Sequence, residues 1–213
     1  MQFYTIPAGP FEVNTYIVFN DETKESLRKK EGFIIDPGGQ ENKIDKIIRD
    51  ENIELKFILN THCHIDHVAM DNYFKEKYGI GIIAAKEEEY IIKNLKEQAE
   101  YLGFKYTGDI TIDRHLKEGE IIDIKGIKVM PVFTPGHSPG STSFLVDDEH
   151  LFSGDTLFKN TIGRTDLFGG SSEQIISSIK NKLMILKDVV KVYPGHGEST
   201  TIGYERKYNP YLI

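Results

Sequence analysis

Short apolar runs that end in glycine, proline or aspartate recur along the chain, and this pattern constrains the fold more than any other feature. Runs such as NTYIVFN (14–20) and LKFILN (55–60) are rich in β-branched and aromatic residues, which favours strands. The segment ENKIDKIIRDEN (41–52) places its isoleucines at helical spacing. We therefore predict an α/β (α+β) protein in which helices flank mixed sheets, because a helical bundle does not fit this order of elements.

The same rules predict the remaining elements. Further helices are predicted at residues 67–79, 86–98 and 171–186, and the last begins with the capping pattern Ser171-x-x-Gln174. Further strands are predicted at 32–39, 81–85, 120–124, 127–135, 141–148, 150–155 and 189–197. Because no repeat or low-complexity linker interrupts this order, we predict one domain that spans residues 1–213.

Composition excludes several classes of partner. The net charge of −7 argues against a nucleic-acid or anionic-membrane binder, because both need a positive surface. Cys63 is the one cysteine, so an intrachain disulfide is impossible. No apolar run approaches the roughly 18 residues of a membrane span, and the first residues do not resemble a signal peptide. We expect a cytoplasmic protein without nucleic-acid or membrane partners.

Residues 62–67, HCHIDH, hold three of the seven histidines in the chain, together with an aspartate. This stretch and four other residues each follow a predicted strand, at a turn rich in glycine or proline. The ligand-type residues at these five strand ends are Asp36, His62, His64, Asp66, His67, His137, Asp155 and His196. Loops at one end of a layered α/β fold converge, so we expect one site.

Imidazole and carboxylate groups suit Zn²⁺ and also iron or manganese. The five histidines together with Asp66 and Asp155 are about the number of ligands that two metal ions need. Cys63 alternates with His62 and His64 and is expected to face away from the metal. His115 and His150 are expected to be ordinary exposed or capping residues.

The pattern His62-x-His64-x-Asp66-His67, followed by His137, Asp155 and His196, resembles the signature of the metallo-β-lactamase-fold hydrolases. Within that superfamily, the sequence is similar to the glyoxalase II-like group. The supporting stretches are IIDPGG around Asp36, SGDTLF (153–158), GRTDLFGGS (163–171), YPGHGESTTIG (193–203) and ERKYNPYL (205–212). The resemblance covers nearly the whole chain, but the helical C-terminal domain of full-length glyoxalase II enzymes is expected to be missing.

This resemblance implies a four-layer αββα sandwich and two divalent metal ions per chain, zinc first and iron or manganese as alternatives. It assigns one metal to His62, His64 and His137. The second metal is assigned to Asp66, His67 and His196, with Asp155 bridging the two. Asp36 is expected to lie behind the ligands and orient one of them.

The implied activity is hydrolysis of S-lactoylglutathione-like thioesters, small-molecule substrates, by a hydroxide shared between the two metals. Asp66 is a candidate to move the proton as well as bind metal. Lys159, Arg164 and Tyr106 are candidate substrate contacts. For Arg164, an ion pair with Asp166 that supports the loop is the competing interpretation.

Other activities remain open at this point. Persulfide dioxygenases of the superfamily resemble these sequences but bind one iron through two histidines and an aspartate, which correspond to His62, His137 and Asp155. Lactonases and phosphodiesterases of the same fold are further hydrolytic alternatives. A binding module without turnover is the third class, although such proteins are expected to lack ligands that this chain has.

Overall fold

Two six-stranded sheets form the centre of the structure, a computed structural model that describes residues 1–20 and 29–213. The strands of the first sheet are β1 (Gln2–Ala8), β2 (Val13–Phe19), β3 (Lys30–Ile35), β4 (Ile53–Leu59), β5 (Gly81–Ala84) and β6 (Arg114–His115). They lie side by side in chain order. Strands β1 to β3 pair antiparallel, whereas β3 to β6 are parallel.

The second sheet comes from the later part of the chain. Its strands are β7 (Ile122–Ile124), β8 (Ile127–Phe133), β9 (Thr142–Val146), β10 (His150–Gly154), β13 (Lys191–Pro194) and β14 (Thr200–Thr201), and β11 (Leu157–Phe158) with β12 (Thr161–Ile162) forms a separate hairpin. The order across the sheet is β14-β13-β10-β9-β8-β7. Strands β10 and β13 are parallel, and the other neighbours are antiparallel.

Helices cover the outer faces of both sheets. They are α1 (Glu41–Asp50), α2 (Ile65–Val68), α3 (Asp71–Tyr78), α4 (Glu89–Ile92), α5 (Leu95–Leu102), α6 (Ser172–Ser178) and α7 (Ile202–Tyr208). A 3-10 turn, Lys86–Glu88, precedes α4, and a π-helical turn, Ile179–Leu183, continues α6. Within the described residues, no helix has the length and apolar character needed to cross a membrane.

Three hydrophobic clusters show how the layers pack. Successive side chains of a strand point to opposite faces. In β2, Ile17 therefore packs toward the helices and Val18 packs toward the second sheet. The cluster between the sheets joins residues such as Phe33 to Phe144. The third cluster packs the second sheet against α6, as Ile175 shows. The predicted αββα sandwich is confirmed.

The segments predicted to hold ligands follow β3, β4, β8, β10 and β13. In the first sheet β3 and β4 are parallel, so the loops after them leave the same edge. In the second sheet β8 and β10 both pair antiparallel to β9, so β8, β10 and β13 share one direction. The pairing therefore brings the loops of each sheet to one end, as the sequence predicted.

Candidate metal site

Three histidine rings converge where these loops meet, and we call them the three-histidine group: His62, His64 and His137. His137 Nε2 lies 3.2 Å from His62 Nε2 and 2.9 Å from His64 Nδ1. Two nitrogen ligands of one tetrahedral zinc ion, each about 2.0–2.1 Å from the metal, lie about 3.3 Å apart. The three nitrogens are therefore spaced much as the ligands of a single small cation are.

A second group, the aspartate group, consists of Asp66, His67 and His196. Asp66 and His67 lie on the short helix α2, while His196 lies in the loop after β13. Asp66 Oδ2 is 3.3 Å from His196 Nε2 and 3.7 Å from His67 Nε2. A carboxylate oxygen and two imidazole nitrogens at these distances also suit one divalent cation.

Asp155 lies between the two groups. Its Oδ1 is 3.5 Å from His67 Nε2, and its Oδ2 is 3.6 Å from His137 Nε2 and 3.7 Å from His196 Nε2. The Asp155 carboxylate thus lies within 3.7 Å of ligand atoms in both groups, with Oδ2 between His137 and His196, and this position suits a ligand shared by two ions.

Hydrogen bonds on the far side of four imidazole rings fix their orientation. The partners of Nδ1 are Thr61 Oγ1 for His62 (3.1 Å), Asp36 Oδ2 for His67 (2.9 Å), the Arg164 carbonyl for His137 (2.8 Å) and the Phe11 carbonyl for His196 (2.9 Å). An Nδ1 that donates a proton leaves the Nε2 lone pair free to bind metal.

Asp36 is buried behind the ligands. Its Oδ1 accepts the backbone N–H of Thr61 at 2.7 Å, and its Oδ2 accepts the Thr61 hydroxyl at 2.6 Å and His67 Nδ1. Asp36 also lies within ligand distance of His62 and His67, but these three donors already occupy its oxygens. The geometry therefore indicates that Asp36 orients His67 and does not itself bind the metal.

The environment of the three-histidine group favours neutral imidazoles by lowering all three pKa values. Burial is the main cause that lowers the pKa of His62 well below its usual value and the pKa of His64 to about 3, and neighbouring imidazoles add to both shifts. Burial also lowers the pKa of His137, although the charge of Asp155 opposes the shift. Neutral imidazoles are the form that binds metal.

Negative charge collects at the aspartate group. Burial disfavours protonated His67, but the charges of Asp66, Asp155 and Asp36 outweigh that effect and raise the pKa of His67 to about 10. Burial of Asp66 works against its ionisation, yet the neighbouring histidines, His67 first, hold its pKa below the usual value. The chain therefore provides carboxylate charge where a second cation would need it.

Two buried polar atoms test whether metal ions fit this arrangement. Within the described residues, His67 Nε2 and Asp155 Oδ1 have no hydrogen-bond partner. A buried polar atom without a partner costs about 1–3 kcal/mol, and these two atoms lie 3.5 Å from each other. Coordination to a cation satisfies them, so the donor set fits divalent metal ions.

Comparison with known proteins identifies the family. Residues 8–196 match the metallo-β-lactamase superfamily. The chain belongs to this superfamily. The hydroxyacylglutathione hydrolase GloC of Haemophilus influenzae is 36% identical over 215 residues, which cover 100% of this chain and 98% of that protein.

Two solved structures of the metallo-β-lactamase fold are similar over nearly the whole chain. BLEG-1, a B3 metallo-β-lactamase, has a TM-score of 0.89 and 33% identity, with 100% of both chains covered. TTHA1623, solved in a di-iron-bound form, has a TM-score of 0.85 and 29% identity and covers 98% of this chain and 100% of its own. Superfamily membership and the two histidine and aspartate groups together indicate a pair of divalent metal ions.

Some supporting residues were not found in the sequence analysis. Asn14, at the start of β2, donates its side-chain amide to the carbonyls of Pro194 and Gly197, both at 3.0 Å, and its backbone N–H to Gly195 at 2.6 Å. These bonds tie the His196 loop to the first sheet. The sequence does not indicate that an asparagine at the edge of a strand fixes a distant loop. It also does not indicate that the backbone carbonyls of Phe11 and Arg164 accept hydrogen bonds from candidate ligands.

The remaining histidines and the cysteine lie outside the two groups of candidate ligands, although His150 is largely buried and not exposed as expected. His115 is 2.8 Å from Glu89, and the ring of His150 packs against Phe3. Cys63 is fully buried in the cluster between the first sheet and its helices, and burial raises the pKa of its thiol well above the usual value. The thiol is therefore unsuited to bind a metal at this site.

The three predicted substrate contacts differ in position. Arg164 follows the β11–β12 hairpin and forms a two-point ion pair with Asp166 at 2.7 and 2.8 Å, which matches the competing interpretation. Lys159 pairs with Glu198 at 2.6 Å. The Tyr106 hydroxyl bonds Asp109 of its own loop, and the described contacts do not join Tyr106 to the metal ligands.

Proposed function

We propose that this chain is a binuclear metal-dependent thioesterase of the glyoxalase II type. The position of Asp155 carries the proposal, because its carboxylate lies within 3.7 Å of His137 in one group and of His67 and His196 in the other. Similarity to a hydroxyacylglutathione hydrolase along its full length supports a thioester as the substrate class. In this assignment His62, His64 and His137 would hold one ion, Asp66, His67 and His196 would hold the other, and Asp155 would contribute to both.

Two divalent ions at these positions would supply a water of lowered pKa and a Lewis acid for the thioester carbonyl. Attack of that water on the carbonyl carbon, with one proton passed to a base, would break the C–S bond and give a carboxylic acid and a thiolate. A thiol has a pKa near 8.5, so it leaves as a thiolate without a dedicated acid. The chain therefore needs no serine or cysteine nucleophile.

Asp66 is the residue that we propose to take up the proton of the attacking water. Its Oδ2 faces His67 and His196 at 3.7 and 3.3 Å, so its Oδ1 is the oxygen available to accept a proton. The lowered pKa of Asp66, against the effect of burial and caused by His67 and His196, keeps the carboxylate ionised before the reaction. A carboxylate within reach of the reacting water is a suitable general base.

Arg164 is the proposed contact for a carboxylate of the substrate. Its carbonyl accepts a hydrogen bond from His137, and its charge adds to the effect of burial in lowering the pKa of His64. Arg164 and Asp166 have side chains that are 62% and 70% exposed, and exposed pairs of this kind are weakly held. A substrate carboxylate can therefore replace Asp166. Lys159, on the His196 side, is a second candidate cation, and Tyr106 is the weakest of the three.

The proposal is tested by assaying the zinc-loaded protein with S-lactoylglutathione, a chromogenic cephalosporin and glutathione persulfide, with oxygen uptake followed for the last. We expect thioester hydrolysis and little activity on the other two. A His64→Ala variant should lose the activity, while His115→Ala, a histidine outside the cluster, should keep it.

Two outcomes would replace the proposal. Oxygen uptake with the persulfide, one iron per chain and no thioester turnover would make the protein a dioxygenase. Cephalosporin hydrolysis faster than thioester hydrolysis would place it with the β-lactamase that it resembles in structure.

A further inference from the structure

Glu88 is a buried carboxylate that has no part in the proposed hydrolysis. It ends the 3-10 turn after β5 and is 0% exposed. Its Oε2 accepts the backbone N–H of Cys63 at 2.6 Å. Its Oε1 accepts the Ser138 hydroxyl at 2.6 Å and the backbone N–H of Gly140 at 2.8 Å. Three neutral donors therefore satisfy this carboxylate.

The three donors belong to the two loops that carry the three-histidine group. Cys63 stands between His62 and His64, and Ser138 directly follows His137. One side chain from a third segment thus joins both loops at the residues next to the ligands. The contact is close, because a Cβ atom on Gly140 would lie only 2.8–2.9 Å from atoms of Glu88. No water fits between them.

The chemistry of the contact requires a carboxylate. Burial raises the pKa of Glu88, and the hydrogen bonds from Ser138, Cys63 and Gly140 act in the opposite direction. Both oxygens accept, so an amide of the same size would place an NH₂ group against one of the donors. The loops are also joined by the bond from Thr142 N–H to the Thr61 carbonyl at 2.8 Å, but that bond lies outside the ligand-bearing residues.

We propose that Glu88 is a positioning residue of the three-histidine group. By fixing Cys63 and Ser138 it sets the spacing of the rings on either side, and so the affinity of this group for its metal ion. It contacts neither metal nor substrate. Asp36 has the corresponding place beside His67 in the aspartate group. The role of Glu88 rests on the proposed metal centre but not on the identity of the substrate.

The test compares Glu88→Gln with Glu87→Gln, which removes the same charge from the neighbouring exposed side chain. Each metal-free full-length protein is titrated with Co²⁺, and the bound cobalt and its d–d absorption are followed. We expect Glu87→Gln to bind as the wild type does. Glu88→Gln should keep one equivalent, bind the other at least about tenfold more weakly, and show an altered d–d spectrum.

Unchanged binding in Glu88→Gln, or equal weakening of both equivalents, would overturn the assignment, since a merely structural role predicts no preference. Glu88→Asp keeps the charge and should restore part of the affinity. If Glu88→Gln does not fold, as judged by circular dichroism, Ser138→Ala removes only one donor and must show the same selective weakening on a smaller scale. Wild-type protein that binds two cobalt ions but cleaves no thioester would contradict the proposed function alone.

Discussion

Gly195 shows how little space the metal site leaves at the level of single atoms. A Cβ atom at this position would lie 2.1 Å from Asp155 Oδ1 and 2.8 Å from His67 Cε1. Distances this short force one of the two side chains to move, and both are proposed ligands. Only glycine therefore fits between Pro194 and His196.

Gly195→Ala is expected to lose most of its bound metal, because Asp155 can no longer face both groups. Gly197→Ala is the matched control: its Cβ meets nothing within 4 Å, although its φ of +76° makes alanine strained. That control should lose some stability but keep its metal. The metal content of both variants is measured after gel filtration. A Gly195→Ala protein with the metal content of the wild type would show that the site can accommodate a Cβ atom at this position.

Asn60 and Asp71 form a buried pair in which one oxygen of each side chain lacks a hydrogen-bond donor. Asn60 Nδ2 donates to Asp71 Oδ1 at 3.3 Å, while Asp71 Oδ2 and Asn60 Oδ1 have no partner within the described residues. A proton on Asp71 Oδ2 would satisfy both atoms, because a carboxylic acid and an amide can exchange two hydrogen bonds. Burial raises the pKa of Asp71 well above its usual value, in agreement.

This pair predicts a pH dependence of stability. Above the usual aspartate pKa of about 3.9, the folded chain holds a proton on Asp71 that the unfolded chain releases. Stability should therefore fall as the pH rises toward the raised pKa of Asp71. Asp71→Asn supplies the second bond without a proton, so its stability advantage should grow between pH 5 and pH 8, by at most about 1.4 kcal/mol per pH unit.

Urea unfolding of the metal-free proteins at both pH values measures this effect. Asp148→Asn, an exposed aspartate on another turn, controls for the loss of one charge. An Asp71→Asn variant that is less stable than the wild type at pH 8 would contradict a protonated Asp71.

At the scale of elements, α6 shows a local signal that the structure uses. The Ser171 hydroxyl accepts the backbone N–H of Gln174 at 3.3 Å, as the capping pattern predicts. The Ser171 N–H donates to the Gly136 carbonyl at 2.8 Å, next to His137. The start of α6 therefore supports the loop of a proposed ligand.

Ser171→Ala should lower the free energy of unfolding by about 1 kcal/mol, because it removes the cap. Metal content should not change, since the backbone bond to Gly136 remains. Ser177→Ala, an exposed serine inside the same helix, should be close to neutral. Chemical unfolding measures all three proteins, and equal stability of the two variants would mean that the cap contributes nothing.

Local patterns predicted element types better than element limits. The predicted helix 67–79 is split into α2 and α3, where the Met70 N–H donates to the carbonyl of Pro37. The predicted helix 86–98 is likewise divided, at Asn94 with φ −109°. No pattern within the helix predicts the Met70–Pro37 contact, which comes from a distant loop. The edge strand β1 was not predicted, because most of its side chains are exposed and it lacks a regular apolar alternation.

The candidate metal ligands could be picked out from the sequence because histidine is scarce in it and each candidate comes after a strand. The residues that orient them could not. Glu88 lies in a run of charged residues that fits a solvated helix face, and its burial depends on Cys63 and Ser138 from two other loops. Backbone carbonyls such as that of Arg164 leave no trace in the residue type.

At the scale of the whole molecule, the site joins the two sheets. Each group takes two ligands from the loop after β4 in the first sheet and one from the second: His137 completes the three-histidine group and His196 the aspartate group. A ligand that binds only the folded state stabilises that state by mass action. Metal binding should therefore stabilise the entire sandwich and not only the loops.

Removal of metal with a chelator is expected to lower the melting temperature by roughly 8–16 °C. This range follows from about 4 kcal/mol at a thousandfold excess of metal over its dissociation constant, at about 2–4 °C per kcal/mol for a chain of this size. Added zinc should restore the melting temperature in a thermal scan. No shift on chelation would mean that the ions do not hold the sheets together.

The bridging role of Asp155 is tested most directly by the metal content per chain. Protein purified without chelator should contain about two ions per chain in the wild type and in Asp166→Ala, an exposed aspartate outside the cluster. Asp155→Ala should contain fewer than one, because both groups lose a ligand. One ion per chain in the wild type, or two in Asp155→Ala, would contradict a binuclear centre bridged by Asp155.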